Sequence, residues 1–136
     1  MTTRDKVKIF VGKRKTAIAQ VLVRRGSGRV TINGIPVEIL QPEVARMRII
    51  QTLLLAEDAA KQYDFEVRVR GGGYMGQAEA ASIALARALS TLSRKRSIRD
   101  LFEEFDRALI AGDPRRTEPK KFGGPGPRRR RQKSYR

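Results

Sequence analysis

The apolar pattern of this chain stops at residue 113, and that stop limits how much of the sequence can fold by itself. Residues 113–136 contain ten Lys or Arg residues, and their only large apolar side chains are Phe122 and Tyr135. Such a segment cannot bury enough apolar surface to offset the conformational entropy lost on ordering, so we expect it to order on a partner. The sequence therefore predicts a globular domain over 1–112 and an extended basic C-terminal tail over 113–136.

The positive charge is segregated along the chain. The formal net charge is +16; residues 6–37 hold eight Lys or Arg and no acid, residues 113–136 carry a net +8, and the remainder balances to zero. Segregated positive charge indicates a polyanionic partner, and nucleic acid is favoured over anionic lipid because no basic amphipathic helix accompanies it. The first residues lack a signal-peptide core, and no apolar run approaches the roughly 18 residues of a membrane span. We therefore expect a soluble intracellular protein without a membrane partner.

Few catalytic side chains are available. The chain has no His and no Cys, which removes the commonest general base, nucleophile and transition-metal ligands. The densest carboxylates, Glu103, Glu104 and Asp106, are interleaved with Arg99 and Arg107, which favours a solvated, internally paired face over a magnesium or acid/base site. We predict no enzyme, no metal, no cofactor and no small-molecule substrate; hydrolysis by carboxylates alone is the enzymatic alternative.

The first third of the chain has the pattern of strands. Residues 7–12 and 16–25 are rich in β-branched side chains, and Gly26 to Gly28 suits a turn. Asn33-Gly34 is a hairpin signal because both residues tolerate positive φ, while Pro36 keeps the returning strand short or at an edge. We predict a three-strand antiparallel opening.

The middle of the chain predicts a helix and then a half-buried strand. Residues 42–57 have Pro42 suited to the first turn and a wide apolar face through Val44, Met47, Ile50 and Leu54. Residues 64–70 alternate, with Phe65, Val67 and Val69 on one side and Glu66, Arg68 and Arg70 on the other. We expect one face of this strand to be buried and the other to be wet and partly basic.

Two further helices complete the domain. An alanine-rich segment after Gly76 could lie very close to a sheet. Residues 97–112 predict a second helix, capped by Ser97 with Asp100 at the third position and ended by Gly112. Its predicted apolar stripe consists of Ile98, Leu101, Phe102, Phe105 and Leu109.

Two glycine-containing motifs resemble nucleotide-binding loops without meeting their other requirements. Gly71 to Gly76 fits G-x-G-x-x-G, but the preceding strand carries two arginines on one face, and no acid or second strand follows about 20 residues later. Residues 12–16, GKRKT, lack the upstream glycine of a phosphate loop. We favour a tight loop whose backbone approaches a helix or an RNA phosphate. Tyr74 suits either packing or stacking on a base.

The basic stretches have a specific and a nonspecific interpretation. Residues 13–15 alone would suit a solvated turn, but beside Arg24, Arg25 and Arg29 they favour a phosphate-contacting patch. The arginines of the tail grip phosphate bidentately and stack on bases, and Pro125 and Pro127 favour an extended path. The alternative for the tail is a nonspecific polycation or localisation signal.

Four stretches together carry a resemblance to a known family: GKRKTAIA, GRVTINGIP, VRGGGYMGQAEAASIALARAL, and DPRRTEPKKFGGPG with the final QKSYR. They span essentially the whole chain, which resembles the universal family of small-subunit ribosomal protein nine in its archaeal and eukaryotic cytoplasmic form. The resemblance implies an α/β (α+β) two-layer sandwich, with a mainly antiparallel four-stranded sheet, helices on one face and a left-handed crossover. The sequence departs from the family pattern in four successive arginines, Arg128 to Arg131.

The resemblance also implies a location and partners. These are the head of the small subunit in the cytoplasmic ribosome, small-subunit ribosomal RNA, neighbouring head proteins, and peptidyl-site tRNA. With the patches above, the expected ribosomal RNA contacts are Lys13, Arg14, Lys15, Arg24, Arg25, Arg29, Gly71, Gly72, Gly73, Tyr74, Arg115, Arg116, Lys120, Lys121, Arg128, Arg129, Arg130 and Arg131. Carried over by position, the expected tRNA contacts are Lys133, Ser134, Tyr135 and Arg136. The alternative function is a free-standing nucleic-acid-binding accessory protein, such as an RNA-processing subunit or chromatin factor.

Overall fold

The computed structural model describes residues 8–93, 96–112, 114–115 and 118–128. One mixed sheet and a layer of helices make up the domain, which confirms the α+β prediction. The elements are β1 (Lys8–Arg14), β2 (Ala17–Arg25), β3 (Val30–Ile32), β4 (Ile35–Pro36), a 3-10 turn (Val37–Ile39), α1 (Glu43–Leu55), α2 (Glu57–Ala60), β5 (Tyr63–Arg70), α3 (Tyr74–Ser93), α4 (Arg96–Phe105) and α5 (Ala108–Ala111). None of the described helices is long and apolar enough to cross a membrane.

The sheet has the strand order β1-β2-β5-β3-β4, so its described part contains five strands where four were expected. β1, β2 and β5 pair antiparallel, whereas β3 runs parallel to β5. The predicted three-strand antiparallel opening is therefore wrong, because β5 lies between β2 and β3. The connection from β3 through α1 to β5 is the crossover that the resemblance implies; its left-handed sense stays a prediction.

A carboxylate from β5 explains why the chain does not turn back at 26–28. Asp64 Oδ1 accepts hydrogen bonds from the backbone N–H groups of Ser27 (3.0 Å), Gly28 (3.2 Å) and Arg29 (3.0 Å). These bonds hold the segment across the end of β5 and deliver β3 to the far side of that strand. The partner residue is 35 or more positions away in sequence, so local turn chemistry could not reveal it.

The Asn33-Gly34 hairpin is confirmed. Asn33 has φ 51° and Gly34 has φ 82°, and they join β3 to the two-residue strand β4, which contains Pro36 at the sheet edge. The Asn33 side chain also accepts a hydrogen bond from Val69 N (2.9 Å) and donates one to Val69 O (3.2 Å). The same residue therefore makes the turn and ties β3 to β5.

Helix α3 packs directly on the sheet, as its alanine content predicted. Ala80 and Ala84 are fully buried, and a Cβ on Gly12 of β1 would overlap the Ala80 carbonyl oxygen and the Ala84 backbone nitrogen. On the sheet side, alternate residues of β2 and β5, from Ala17 to Val23 and from Phe65 to Val69, face this helical layer. The opposite face of the sheet is exposed or half-buried, so the helices lie on one face, as expected.

The buried face of α1 differs from the predicted one. Its fully buried residues are Ala45, Ile49 and Thr52, whereas Val44, Met47 and Leu54 are exposed. Apolar side chains surround most of this helix, so periodicity alone did not identify its seam. At the seam with α3, Thr52 Oγ1 donates to the carbonyl oxygen of Arg48 (3.3 Å). Ser82 Oγ lies 3.5 Å from the same oxygen and donates its hydroxyl to the carbonyl oxygen of Ala78 (2.9 Å).

The predicted last helix is two helices. α4 begins at Arg96, one residue before the predicted cap, and α5 follows after a break. At the break Asp106 Oδ1 accepts a hydrogen bond from Ala108 N (3.0 Å), which satisfies a donor of the new helix. Of the predicted stripe, Phe102 and Leu109 are fully buried, Ile98 is partly buried, and Leu101 and Phe105 are exposed. Gly112, with φ 82°, ends α5 as predicted.

The described part of the tail contains turns between 122 and 128. The Arg128 guanidinium donates to both Glu118 carboxylate oxygens, at 2.8 and 3.2 Å, and brings the two ends of this segment together. Without a partner, residues 118–128 are therefore folded back on themselves, and the extended path along RNA stays a prediction.

Candidate nucleic-acid interface

The turn between β1 and β2 and the glycine loop after β5 lie against each other at one end of the sheet. Gly71 and Gly72 have φ 78° and 67°, which glycine adopts without a steric penalty. A Cβ on Gly71 would overlap the carbonyl oxygen of Thr16. Two sequence-predicted contacts more than 50 residues apart therefore meet, and we call residues 13–16 with 70–74 the glycine corner.

The backbone of the glycine corner is open at its outer side. Nothing lies within 4 Å of a Cβ built on Gly73, and Tyr74 is exposed. Gln77 steadies the loop by donating its side-chain amide to Gly71 O (3.2 Å). Within the described residues α3 leads to α4 and no strand follows it, so the second strand of a dinucleotide fold is missing there. A loop presenting backbone to a partner fits better.

Two cations of β5, Arg68 and Arg70, lie at this corner on the uncovered face of the sheet. Lys13 on β1 lies opposite Ile18 on β2, which lies opposite Arg70 on β5, and Arg68 lies opposite Gln20. Arg70 is exposed, and Arg68 pairs with Glu66 at 3.3 Å. Arg68 and Arg70 were predicted to be wet but were not counted as contacts. Arg70 directly precedes Gly71 and Arg68 lies two residues earlier on the same strand face, and this position was the available signal.

Arg14 points the other way from its two neighbours. Strand alternation turns it toward the helical layer, where its Nε lies 2.6 Å from Glu79 Oε2 and its side chain is 14% exposed. A cavity of about 130 Å³ joins this pair to the Arg48–Asp106 ion pair (3.0 Å) and to Arg115. Arg14 therefore ties β1 to α3, and the neighbouring pair ties α1 to the break between α4 and α5.

The remaining N-terminal cations lie at the opposite end of β2. Arg24 and Arg25 end that nine-residue strand, and Arg29 follows the turn, so about 30 Å separates them from Lys15. All three are exposed. We call these three residues the arginine end. The predicted single patch is therefore divided between two ends of the sheet.

Asp64 sets the electrostatics of the arginine end. The backbone N–H of Arg29, helped by those of Ser27 and Gly28 and by the positive charge of Arg29, lowers the pKa of Asp64 below its usual 3.8, although burial opposes the shift. Asp64 therefore stays ionised at neutral pH and holds the loop that presents Arg29.

The tail residues are only partly described. Lys120, Lys121 and Arg128 are exposed, and Arg115 lines the cavity beside Arg14. The predicted contacts outside the described residues are Arg116, Arg129, Arg130, Arg131, Lys133, Ser134, Tyr135 and Arg136.

Two of the carboxylates in and just after α4 form ion pairs. Glu103 lies 3.4 Å from Arg99, and Asp106 pairs with Arg48 of α1. Among the described residues no group of three or more His, Cys, Asp or Glu could hold a metal ion. The predicted internal pairing is therefore found for Glu103, whereas Asp106 is half-buried and pairs with α1 instead of with Arg99 or Arg107.

A small α+β domain with exposed cations at two ends of its sheet and a basic tail has the charge distribution typical of nucleic-acid-binding proteins. The family model for ribosomal protein S9/S16 matches residues 12–136. The chain therefore belongs to the ribosomal protein S9/S16 family.

Three archaeal relatives are similar over nearly their whole length. Each is a small ribosomal subunit protein uS9. The chain is 53% identical to that of Desulfurococcus amylolyticus, covering 99% of this chain and 98% of the relative. It is 47% identical to that of Pyrobaculum aerophilum, covering 96% and 92%, and 49% identical to that of Thermoplasma acidophilum, covering 94% and 99%.

Family membership confirms the resemblance drawn from the four sequence stretches. The chain is a structural component of the small subunit of the cytoplasmic ribosome and is not an enzyme; its partners are ribosomal RNA and ribosomal proteins. Membership also disfavours the free-standing accessory protein.

Proposed function

We propose that the domain binds small-subunit ribosomal RNA in the head through the glycine corner and the arginine end, and that the tail continues to peptidyl-site tRNA. The observation that carries the ribosomal RNA part is the glycine corner itself. Lys13, Lys15 and Arg70 surround an open glycine backbone there. A phosphate group could accept hydrogen bonds from both the cations and the backbone N–H groups.

The arginine end supports a second RNA contact. Arg24, Arg25 and Arg29 are exposed, and guanidinium groups bind phosphate bidentately. Because about 30 Å separates the two ends, they suit two different stretches of folded RNA. A single phosphate group cannot contact both the glycine corner and the arginine end across that distance.

The tRNA part rests on the tail. Its ten cations stand against two acids, and Arg128 is paired with one of those acids, Glu118, on the surface of the protein. An exposed ion pair is readily exchanged for phosphate because solvent already screens it. Residues 133–136, which the resemblance places at the tRNA, make up the end of this basic stretch.

Salt dependence of RNA binding tests the glycine corner. Lys13→Gln, Lys15→Gln and Arg70→Gln should each weaken binding to small-subunit ribosomal RNA. Each should also reduce the slope of log affinity against log salt by up to about 0.7 to 0.9 per lost phosphate contact. Filter binding of the purified full chain over a series of salt concentrations measures both quantities.

Two variants make the test specific. Arg99→Gln removes an exposed cation of α4 that pairs with Glu103, and its slope should equal that of the wild type. Arg14→Gln should lower the free energy of unfolding of the domain and leave the salt slope close to that of the wild type, because Arg14 is paired with Glu79. If the three corner variants kept the wild-type slope, Lys13 and Lys15 would return to the solvated-turn interpretation and the corner would not be an RNA contact.

A further inference from the structure

Phe122 is displayed on the surface of the tail. Its side chain is 92% exposed, more than any other large apolar side chain among the described residues. The chain turns immediately after it, with Gly123 at φ 88°, and Gly124 is buried. The ring therefore lies at the outside of a turn in which Gly124 is the buried residue.

The surroundings of Phe122 are cationic. Lys120 and Lys121 precede it and are exposed, and Arg128 closes the segment by pairing with Glu118, the single acid of 118–128. A phenyl ring between cations has the two components of single-stranded nucleic-acid recognition, a stacking surface and charges that follow the phosphates.

A protein pocket fits these surroundings less well. Seating the ring in an apolar pocket would bring Lys120 and Lys121 into or against the dry centre of an interface. Lysine is depleted there because its ammonium is strongly hydrated. Stacking on a base leaves both ammonium groups at the phosphates and in water.

We propose that Phe122 stacks on an unpaired base of ribosomal RNA, with Lys120 and Lys121 binding the flanking phosphates. The proposal rests on the RNA binding proposed above and adds a residue and a ligand class to it. The recognised element is a base that has left its helix, because a duplex offers a side chain no free base face except at its ends. The contact is tolerant of base identity, since every base has a π-face.

Tryptophan fluorescence gives a direct readout. The chain contains no Trp, so Phe122→Trp in the full chain introduces a single indole, which stacking on a base quenches. The probes are a single-stranded oligoadenylate and a fully paired RNA duplex without loops that contains an equal number of phosphates. We expect quenching by the single strand and much less by the duplex. Met47→Trp, at an exposed position of α1, is the matched control and should not be quenched by either.

Affinity for the oligoadenylate separates an aromatic from a merely apolar role. Phe122→Leu should lower it by roughly five- to one-hundred-fold, the range found when a stacking side chain is removed, whereas Phe122→Tyr should bind as the wild type does. Wild-type affinity of Phe122→Leu, or equal quenching of Phe122→Trp by the duplex, would overturn the stacking assignment while leaving the salt slope intact. If the wild-type chain showed no salt-dependent binding to RNA, the proposed RNA-binding function on which the assignment rests would instead be rejected.

Discussion

At the scale of single residues, Asp64 shows how a side chain acquires a role that its own sequence position does not indicate. From the alternating pattern of 64–70 it belongs to the wet face of a strand. In the structure it holds three backbone N–H groups of the loop before β3. That role depends on the long-range pairing of β5 with β2. The sequence pattern could therefore predict that Asp64 is on the solvent-facing side of its strand, but not which groups it binds.

The lowered pKa of Asp64 predicts a pH-dependent contribution to stability. Because the folded pKa lies below the usual 3.8, the stabilisation is complete above the pKa of the unfolded chain. It is lost as the pH falls through the folded value. Wild type should therefore exceed Asp64→Asn in free energy of unfolding at neutral pH, and the gap should close in acid. Urea unfolding over a pH series measures it.

The control for this pH experiment is Asp58→Asn, which removes an exposed carboxylate of α2. This variant should not reproduce the closing gap. A difference between wild type and Asp64→Asn that stayed constant from neutral pH to strong acid would show that the carboxylate charge does not hold the loop.

At the scale of elements, local sequence patterns predicted the features that depend on neighbouring residues and missed those that depend on residues distant in the sequence. The Asn33-Gly34 hairpin, the alternation of β5 and the close packing of α3 follow from turn chemistry, period two and small side chains. The neighbour of β3 and the break at Asp106 depend on partners elsewhere in the chain. The same reason explains α1, because a helix with apolar residues on most sides does not reveal which side another helix will cover.

The orientation of α1 predicts opposite results for two apolar truncations. Ile49→Ala removes a side chain that is 1% exposed and should destabilise the domain by about 2 to 5 kcal/mol, because it leaves a cavity. Met47→Ala removes one that is 56% exposed and should change stability by no more than about 0.5 kcal/mol. Chemical denaturation followed by circular dichroism measures both, and comparable losses would mean that the originally predicted face of α1 is buried after all.

At the scale of the whole molecule, charge that is grouped in the sequence is separated in space. Composition indicated a polyanionic partner, which agrees with membership in a ribosomal protein family, since that inference needs only the totals and their distribution. It could not divide the cations among surfaces. The length of β2 carries Arg24 and Arg25 away from Lys15, and strand alternation turns Arg14 inward to Glu79. The proposed interface therefore consists of two separated ends of the sheet and a tail, so substitutions in one of the three should leave the other two intact.

That independence gives the tail its own test. Small subunits assembled with chains ending at Arg131 or at Pro127 should bind tRNA at the peptidyl site more weakly than the wild type. The loss should shrink at high salt, because lost phosphate contacts also lower the salt slope, by about 0.7 to 0.9 each.

Subunits carrying Arg24→Gln, Arg25→Gln and Arg29→Gln together are the control: these changes should weaken assembly but leave the tRNA affinity of assembled subunits unchanged. If truncation at Arg131 produces the whole loss, residues 132–136 carry the tRNA contact, and Arg128 to Arg131 are left for ribosomal RNA. Equal tRNA affinity of both truncated forms and the wild type at every salt concentration would remove the tail from the peptidyl site.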